Sequence, residues 1–326
     1  MASGFSTLTN RDLIRSQLYS RQLKELILDD LFAMQFVRTL TEFPDGTTFN
    51  IPSLGQAMTQ TFTEGQAIRY EKLDTGNFTF SFDTYKYSAH SISAKFKRDS
   101  FWSGIVESAF LPREHRALME AVEADVLNKA QPGQTNGQVA NDLNLINNGA
   151  HRWIGSGTNQ ALAIDDFHKA RLSLTKALMP MSRLVCILDP STAYSLATQT
   201  NAISLLTPMP SYEMIIREGM QSGFKFVYSF AGFDCYVSNY LPSGFSETIN
   251  SKTVSSGVAN LFFSAAPGDT LPIIGGFRQM PQVYSEFNKD LQQDEYLTIS
   301  EWGWKLYRPE NMITILTGAL SSVVSW

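Results

Sequence analysis

The chain has 326 residues, 43% of them hydrophobic and 17% charged. This balance excludes a disordered chain, which combines low hydrophobicity with high charge, and at about 100–200 residues per domain it allows one large domain or two small ones. The 26 basic and 31 acidic residues give a net charge of −5, which excludes a protein whose main work is to grip nucleic-acid phosphates over its whole surface.

Cys186 and Cys235 are the only cysteines. Two thiols make no disulfide framework, so a reducing cytosol is the expected assembly compartment. The opening residues, Met1-Ala2-Ser3-Gly4-Phe5-Ser6, lack the basic and apolar regions of a signal peptide. No run reaches the ~18–20 apolar residues that would span a bilayer, so no membrane contact is expected. Against 22 Phe, 12 Tyr and 5 Trp stand only four His. A large packing inventory beside a small catalytic one points to a protein whose work is contact.

In chain order, residues 10–40 predict a helix. Asn10 is a plausible N-cap, and Leu13, Ile14, Leu18, Leu23, Leu26, Ile27, Leu31, Phe32 and Phe36 recur at helical spacing. Phe43-Pro44-Asp45-Gly46 ends it with turn chemistry. Residues 47–92 switch to period two. Phe78, Phe80 and Phe82 alternate with Thr79, Ser81 and Asp83, a strand with one buried face. Shorter strands are expected over 59–63 and 67–73, with turns at 63–66 and 74–77. This extended segment has few aliphatic residues and must lie on something else.

Residues 100–131 return to helical period. Pro112 is expected at a first helical position, and Leu118, Met119, Val122, Val126 and Leu127 form the apolar face. Glu114, Arg116, Glu120, Glu123 and Asp125 are expected largely elsewhere. Residues 132–160, rich in Gly, Asn, Gln and Ser, read as a long loop. An α/β alternation follows: a helix over 164–179, a strand over 183–188 closed by Asp189-Pro190, a helix from 191, and strands over 224–228 and 233–238 around Ala231-Gly232. Residues 243–257 read as a second Ser/Gly-rich connection. Strands are then expected over 259–264, 282–287, 296–305 and 312–316, with Pro281 and Pro309 at strand edges or ends.

Motifs for chemistry are sparse. Ser173-Leu174-Thr175-Lys176 fits S-x-x-K, the nucleophile spacing of penicillin-recognising enzymes, without the S-D-N or K-T-G that accompany it. A surface helix with a solvated lysine is the plainer reading. Glu114-His115 is half of H-E-x-x-H with no second histidine, and His90, His151 and His168 stand apart, so no metal or cofactor is expected. Lys95, Lys97 and Arg98 interleave with Phe96, Phe101 and Trp102, a basic-aromatic pattern suited to single strands. With Asp99 beside it and so short a run, it reads first as the exposed face of a strand entering a helix, and second as a subunit contact.

The order of these elements resembles one family over nearly the whole chain: the major capsid proteins of tailed bacteriophages, of the Hong Kong ninety-seven type and podovirus-like. Three stretches resemble it in wording as well: Arg183 to Tyr194 (RLVCILDPSTAY), Gly232 to Pro242 (GFDCYVSNYLP) and Trp302 to Asn311 (WGWKLYRPEN). The resemblance implies an α+β phage capsid fold. Residues 1–46 would be its N-terminal arm and 47–92 its extension-loop β-hairpin and return strand. Residues 93–131 would be the peripheral domain with its long spine helix, 132–244 a central axial α/β domain, and 245–326 the returning β segment of the peripheral domain. It implies a self-assembling, non-enzymatic subunit of an icosahedral head, built in the host cytoplasm and resident in the virion. Pentamers and hexamers would enclose double-stranded DNA contacted non-specifically. A separate scaffolding protein, a portal and a decoration protein are the implied partners.

Phe32, Phe36, Ile68, Tyr70, Lys72, Phe78, Phe80 and Phe82 are the candidate subunit-contact residues of that reading, or else part of the local core. Lys72, Glu310 and Asn311 do not fall on the family's cross-linking motif, so no cross-link is expected. The alternatives are an encapsulin-like nanocompartment shell, a phage tail or connector protein, and, in a different class, an acyl-transfer enzyme using Ser173 and Lys176.

Overall fold

The computed structural model describes residues 31–40, 48–54, 75–99, 103–130, 143–196, 226–267 and 269–318, with isolated positions at 59, 61, 64, 65 and 67. The expected helix over 10–30 lies outside these residues, and the expected strands over 59–63 and 67–73 lie almost entirely outside them.

The first described segment departs from the helix expected up to residue 40. Ala33–Phe36 forms a single 3-10 turn and β1 follows at Val37–Thr39. The cause is a distant carboxylate. Buried Glu123 accepts the backbone N–H groups of Phe32, at 3.3 Å, and Ala33, at 2.9 Å, so the chain is held at that point by an acceptor from outside rather than by its own preceding turn.

β2 (Thr48–Leu54) and β3 (Thr75–Ser81) form an antiparallel hairpin running from Thr48 opposite Ser81 to Leu54 opposite Thr75. The turn expected over 74–77 is therefore the start of a strand. β4 (Thr84–Ser93) leads into the short helix α1 (Ala94–Asp99), where the Ser93 hydroxyl accepts the Phe96 N–H at 3.2 Å, as an N-cap does. α2 spans Ser103–Leu127, about 38 Å at 1.5 Å per residue. Pro112 sits inside it and not at its first turn, so one carbonyl of the preceding turn lacks its helical donor. Leu118, Val122, Val126 and Leu127 are buried, as their spacing predicts.

The stretch expected as a long loop carries three short strands: β5 (Leu145–Ile146), β6 (Gly149–Ala150) and β7 (Arg152–Ile154). Asn147 and Asn148, both with positive φ, make the two-residue turn between β5 and β6. α3 (Ile164–Lys176) starts where the buried Asp166 carboxylate accepts the N–H groups of Ala163 and Ser156, each at 2.9 Å, and the Trp153 indole N–H at 3.1 Å. β8 (Leu184–Leu188) is buried throughout. Residues 190–196 are helical, begun by the Asp189 carboxylate on the Ser191 N–H at 2.9 Å. β9 (Phe226–Phe230) and β10 (Phe233–Val237) meet at Ala231-Gly232, the turn the sequence marks. β11 (Ser243–Ile249) and β12 (Lys252–Ser264) form a further hairpin where a connection was expected, turning at Asn250-Ser251. Both turn residues have positive φ. β13 (Ile273–Asn288), β14 (Gln293–Leu306) and β15 (Met312–Gly318) complete the chain.

Two sheets organise these strands. One has the order β1-β13-β14-β4, with β1 parallel to β13 and the other pairs antiparallel. The second runs β7-β15-β12-β8-β10-β9, with β11 beside β12. It draws strands from both sides of residue 244, since β12 pairs with β8 from Leu261 opposite Ile187 to Ser264 opposite Leu184. Both of its faces are covered. Val185, Ile187, Leu261 and Phe263 pack with Val122, Val126 and Leu127 of α2 and with Phe32 and Phe36. Leu184, Cys186, Leu188 and Phe262 pack on the opposite face with Phe167, Ala170 and Leu174 of α3. A strand buried on both faces reads as one continuous apolar run, which is why Leu184–Leu188 is so legible.

Replacing Glu123 by alanine strands two buried N–H donors at about 1–3 kcal/mol each. Urea denaturation of Glu123→Ala is therefore expected to show a loss of about 2–4 kcal/mol. A loss below about 1 kcal/mol would mean that this carboxylate does not hold the 32–33 backbone.

Candidate subunit-contact surfaces

The structure places most of the sequence-derived contact candidates within the chain's own packing. Phe32 stacks on Tyr236 with ring centroids 5.5 Å apart, and Phe36 meets Tyr236 at 5.1 Å and Phe263 at 5.5 Å. Both phenylalanines are buried in the core on the α2 side of the larger sheet. Phe80 is buried between Phe49, at 5.7 Å, and Phe82, at 5.3 Å. Phe78 is half-buried, edge-on to Tyr307 at 5.1 Å. Ile68, Tyr70 and Lys72 lie outside the described residues.

The β2–β3 hairpin is thereby seated on the four-stranded sheet. Lys305 Nζ donates to the Thr79 carbonyl at 2.6 Å and lies over the Phe78 ring. Beside it the contact is backbone on backbone. A Cβ on Gly303 would lie 2.6 Å from the Ser81 carbonyl oxygen and 3.1 Å from the Phe82 Cα, so only glycine fits there.

α2 anchors the same sheet through carboxylates expected largely off its apolar face. Glu114 is buried. It pairs with His90 Nδ1 from β4 and accepts the Thr298 hydroxyl from β14 at 2.8 Å. Asp125 accepts the Trp302 indole N–H at 3.1 Å. His90 in turn stacks on its strand partner Tyr296, 5.0 Å away and 13° from parallel. Glu114 and Glu123 depart from the amphipathic expectation because α2 is covered on more than its apolar stripe. A carboxylate so placed is stable only when hydrogen-bonded. Arg116 and Glu120, paired at 3.0 Å, stay on the outer side as expected.

Among the described residues the opposite face of that sheet has no such cover. Directly opposed residues share a face, so Tyr87, Ile299 and Gln282 form one row, Ala89, Leu297 and Tyr284 the next, and Ser91, Glu295 and Glu286 the last. Tyr85, Tyr87 and Tyr284 are 58%, 67% and 50% exposed. Glu295, at the tip, accepts amide hydrogens from Gln293 at 2.8 Å and Asn288 at 2.9 Å, which hold its carboxyl below the ordinary value. The outer face is thus a tyrosine surface with an acidic tip, bordered by β4 at the sheet edge. The sequence alone does not mark it. Tyr85-x-Tyr87 alternates as a buried strand face does, and alternation alone does not say what covers the face.

The S-x-x-K pair is not assembled as a nucleophile and base. Ser173 is buried on the core side of α3, whereas Lys176 is exposed and donates to the Asn148 carbonyl at 3.0 Å. Asn311 is buried with its amide fully engaged. It donates to the carbonyls of Ser264 at 2.7 Å and Thr270 at 2.6 Å, and accepts the Ser264 N–H at 2.9 Å. Lys95, Lys97 and Arg98 lie on α1. Lys97 is committed to Asp294 at 2.6 Å, which ties the helix to β14. Among the described residues no group of His, Cys, Asp or Glu is arranged to hold a metal ion, and no helix is long and apolar enough to cross a membrane.

No family model matches the sequence, and no curated protein does. Solved structures do match. The capsid structure of cyanophage P-SCSP1u superposes with a TM-score of 0.69 at 14% identity, covering 98% of this chain and 97% of that one. The cyanophage Pam1 capsid asymmetric unit gives 0.66 at 14% identity, covering 98% and 100%. The capsid of Ralstonia phage GP4 gives 0.61 at 11% identity, covering 96% and 98%. Matches over 96–98% of the chain show that it has the mixed α+β fold of these phage capsid structures.

Proposed function

We propose that the chain is a major capsid protein: a structural, non-enzymatic subunit that closes with copies of itself into an icosahedral phage head around double-stranded DNA. The observation that carries this reading is the two-way coverage, with 98% of this chain matched to 97–100% of capsid subunits. The physical features agree with it. The tyrosine face is the kind of exposed apolar patch that marks an interaction surface, and aromatic residues are enriched where interfaces are tightest. Many weak copies of such a contact close a symmetric shell.

In this reading residues 47–92 supply the extension loop and its return strand, α2 is the spine helix, and the β13–β14 pair belongs to the peripheral domain. Pentamers and hexamers, a scaffolding protein, a portal and a decoration protein complete the proposed assembly. Packaged DNA is met without sequence preference, since a chain of net charge −5 repels the phosphate backbone over most of its surface.

Electron microscopy of the recombinant chain, with size-exclusion chromatography beside it, tests the reading. Closed shells are expected, alone or with a co-expressed scaffolding protein. A monodisperse monomer under both conditions would overturn it. Replacing residues 60–73 by a short Gly-Ser link, which spares β3, is expected to leave a folded chain that yields no shells. Ordinary particle yield from that variant counts against the extension-loop assignment. The two classes of aromatic should separate cleanly. Phe80→Ala should destabilise the unassembled chain by about 3–5 kcal/mol in denaturant. Tyr85→Ser with Tyr87→Ser should change it by no more than about 1 kcal/mol while lowering particle yield.

A further inference from the structure

Cys186 lies on β8 and Cys235 on β10, neighbouring parallel strands in which these two residues are direct register partners. Both side chains are completely buried, packed with Phe233, Phe262 and Leu188 on the α3 side of the larger sheet. Their Sγ atoms are 2.8 Å apart, one thiol donating to the other. The remaining polar contact is a weak one, from Cys235 Sγ to the Phe233 carbonyl at 3.8 Å. Paired strands run about 4.8 Å apart, inside the roughly 4.4–6.8 Å between Cα atoms that a disulfide spans, and closing the sulfurs to about 2.0 Å requires a shift of under about 1 Å.

We infer that Cys186 and Cys235 are an intramolecular disulfide site, closed after folding by an oxidant of the peroxide class. One sulfur, as thiolate, attacks a peroxide oxygen. The O–O bond breaks, that sulfur becomes a sulfenic acid, and the departing oxygen takes up the thiol proton to leave as water. The second sulfur then attacks the sulfenic sulfur, forming the S–S bond and releasing a second water as its own proton is lost. Two thiols are oxidised by two electrons and one peroxide is reduced to two waters.

Size and burial select this oxidant. A sulfur with no exposed surface is closed to a bulky disulfide but not to a molecule little larger than water. Burial, seconded by the hydrogen bond with Cys235, also raises the Cys186 thiol well above its ordinary value. The pair therefore stays reduced through synthesis in a reducing compartment and reacts slowly afterwards. Once made, the bond ties the centre of the larger sheet across the 49-residue separation of the two strands, a long loop whose closure restricts the unfolded chain.

The inference concerns the folded chain alone and stands or falls separately from the shell reading. The full chain is purified under reductant, desalted, exposed to dilute hydrogen peroxide, quenched, and denatured in guanidinium with N-ethylmaleimide for intact-mass and peptide analysis. The untreated protein should take up two maleimides. The treated protein should take up none, should be lighter by two hydrogen atoms, and should yield one cross-linked peptide pair holding Cys186 and Cys235. Its Tm should rise by about 5 °C, and a Cys235→Ala variant should show neither the mass loss nor the rise. Two maleimides after treatment, oxygen added at either cysteine without linkage, or linkage between chains would each overturn the assignment.

Discussion

The position of α2 is set by carboxylates, and the arrangement of both sheets follows from it. Glu114, Glu123 and Asp125 each accept hydrogen bonds from a different part of the chain: from His90 and Thr298, from the backbone at Phe32 and Ala33, and from the Trp302 indole. Apolar packing alone would let a helix of this length slide along its groove at little cost, because hydrophobic burial has no direction. A buried carboxylate without its donors is costly. The helix therefore has one register against the four-stranded sheet and one against the segment that enters the core at Phe32.

That same constraint explains what could and could not be read from the residues alone. Leu184–Leu188 and the Phe78-x-Phe80-x-Phe82 alternation were legible because burial there is complete or strictly two-fold. Glu114 and Glu123 were not, since an acidic residue off the apolar stripe of a helix defaults to solvent and its donors lie 90 or more residues away in three of the four bonds. β11 is built from Ser, Gly, Glu and Thr as well as Phe and Ile, and becomes a strand only through β12, so it resembled a linker. Asn147-Asn148-Gly149 did carry a turn signal, but strands of two residues are too short for periodicity to register. The contact candidates followed the same logic. Aromatic alternation marks a face that is covered, and for Phe32, Phe36 and Phe80 the cover comes from the chain itself.

The larger sheet joins early and late parts of the sequence at its centre. β8 lies between β12, from beyond residue 250, and β10. Asn260 on β12 accepts the Asp189 N–H at 3.1 Å and donates to Thr317 at 2.9 Å, so a polar network crosses β12, β15 and the start of the 190–196 helix. With α2 on one face and α3 on the other, deformation of either covering layer is transmitted through a single close-packed sheet. The meander formed by β4, β14 and the distal part of β13 is different in kind. It is packed by α2 on one side and, among the described residues, presents Tyr85, Tyr87 and Tyr284 outward on the other.

Gly303 gives the seating of the β2–β3 hairpin a signature that can be read in other sequences. Where the Ser81 carbonyl and the Phe82 backbone rest against a bare Cα, the spacing of the two layers depends on the absence of a single carbon atom and on no chemistry that another residue could imitate. A relative bearing any side chain at the equivalent position must hold its hairpin farther from the sheet or at another angle. One column of an alignment would thus sort distant homologues by hairpin pose before any of their structures were determined.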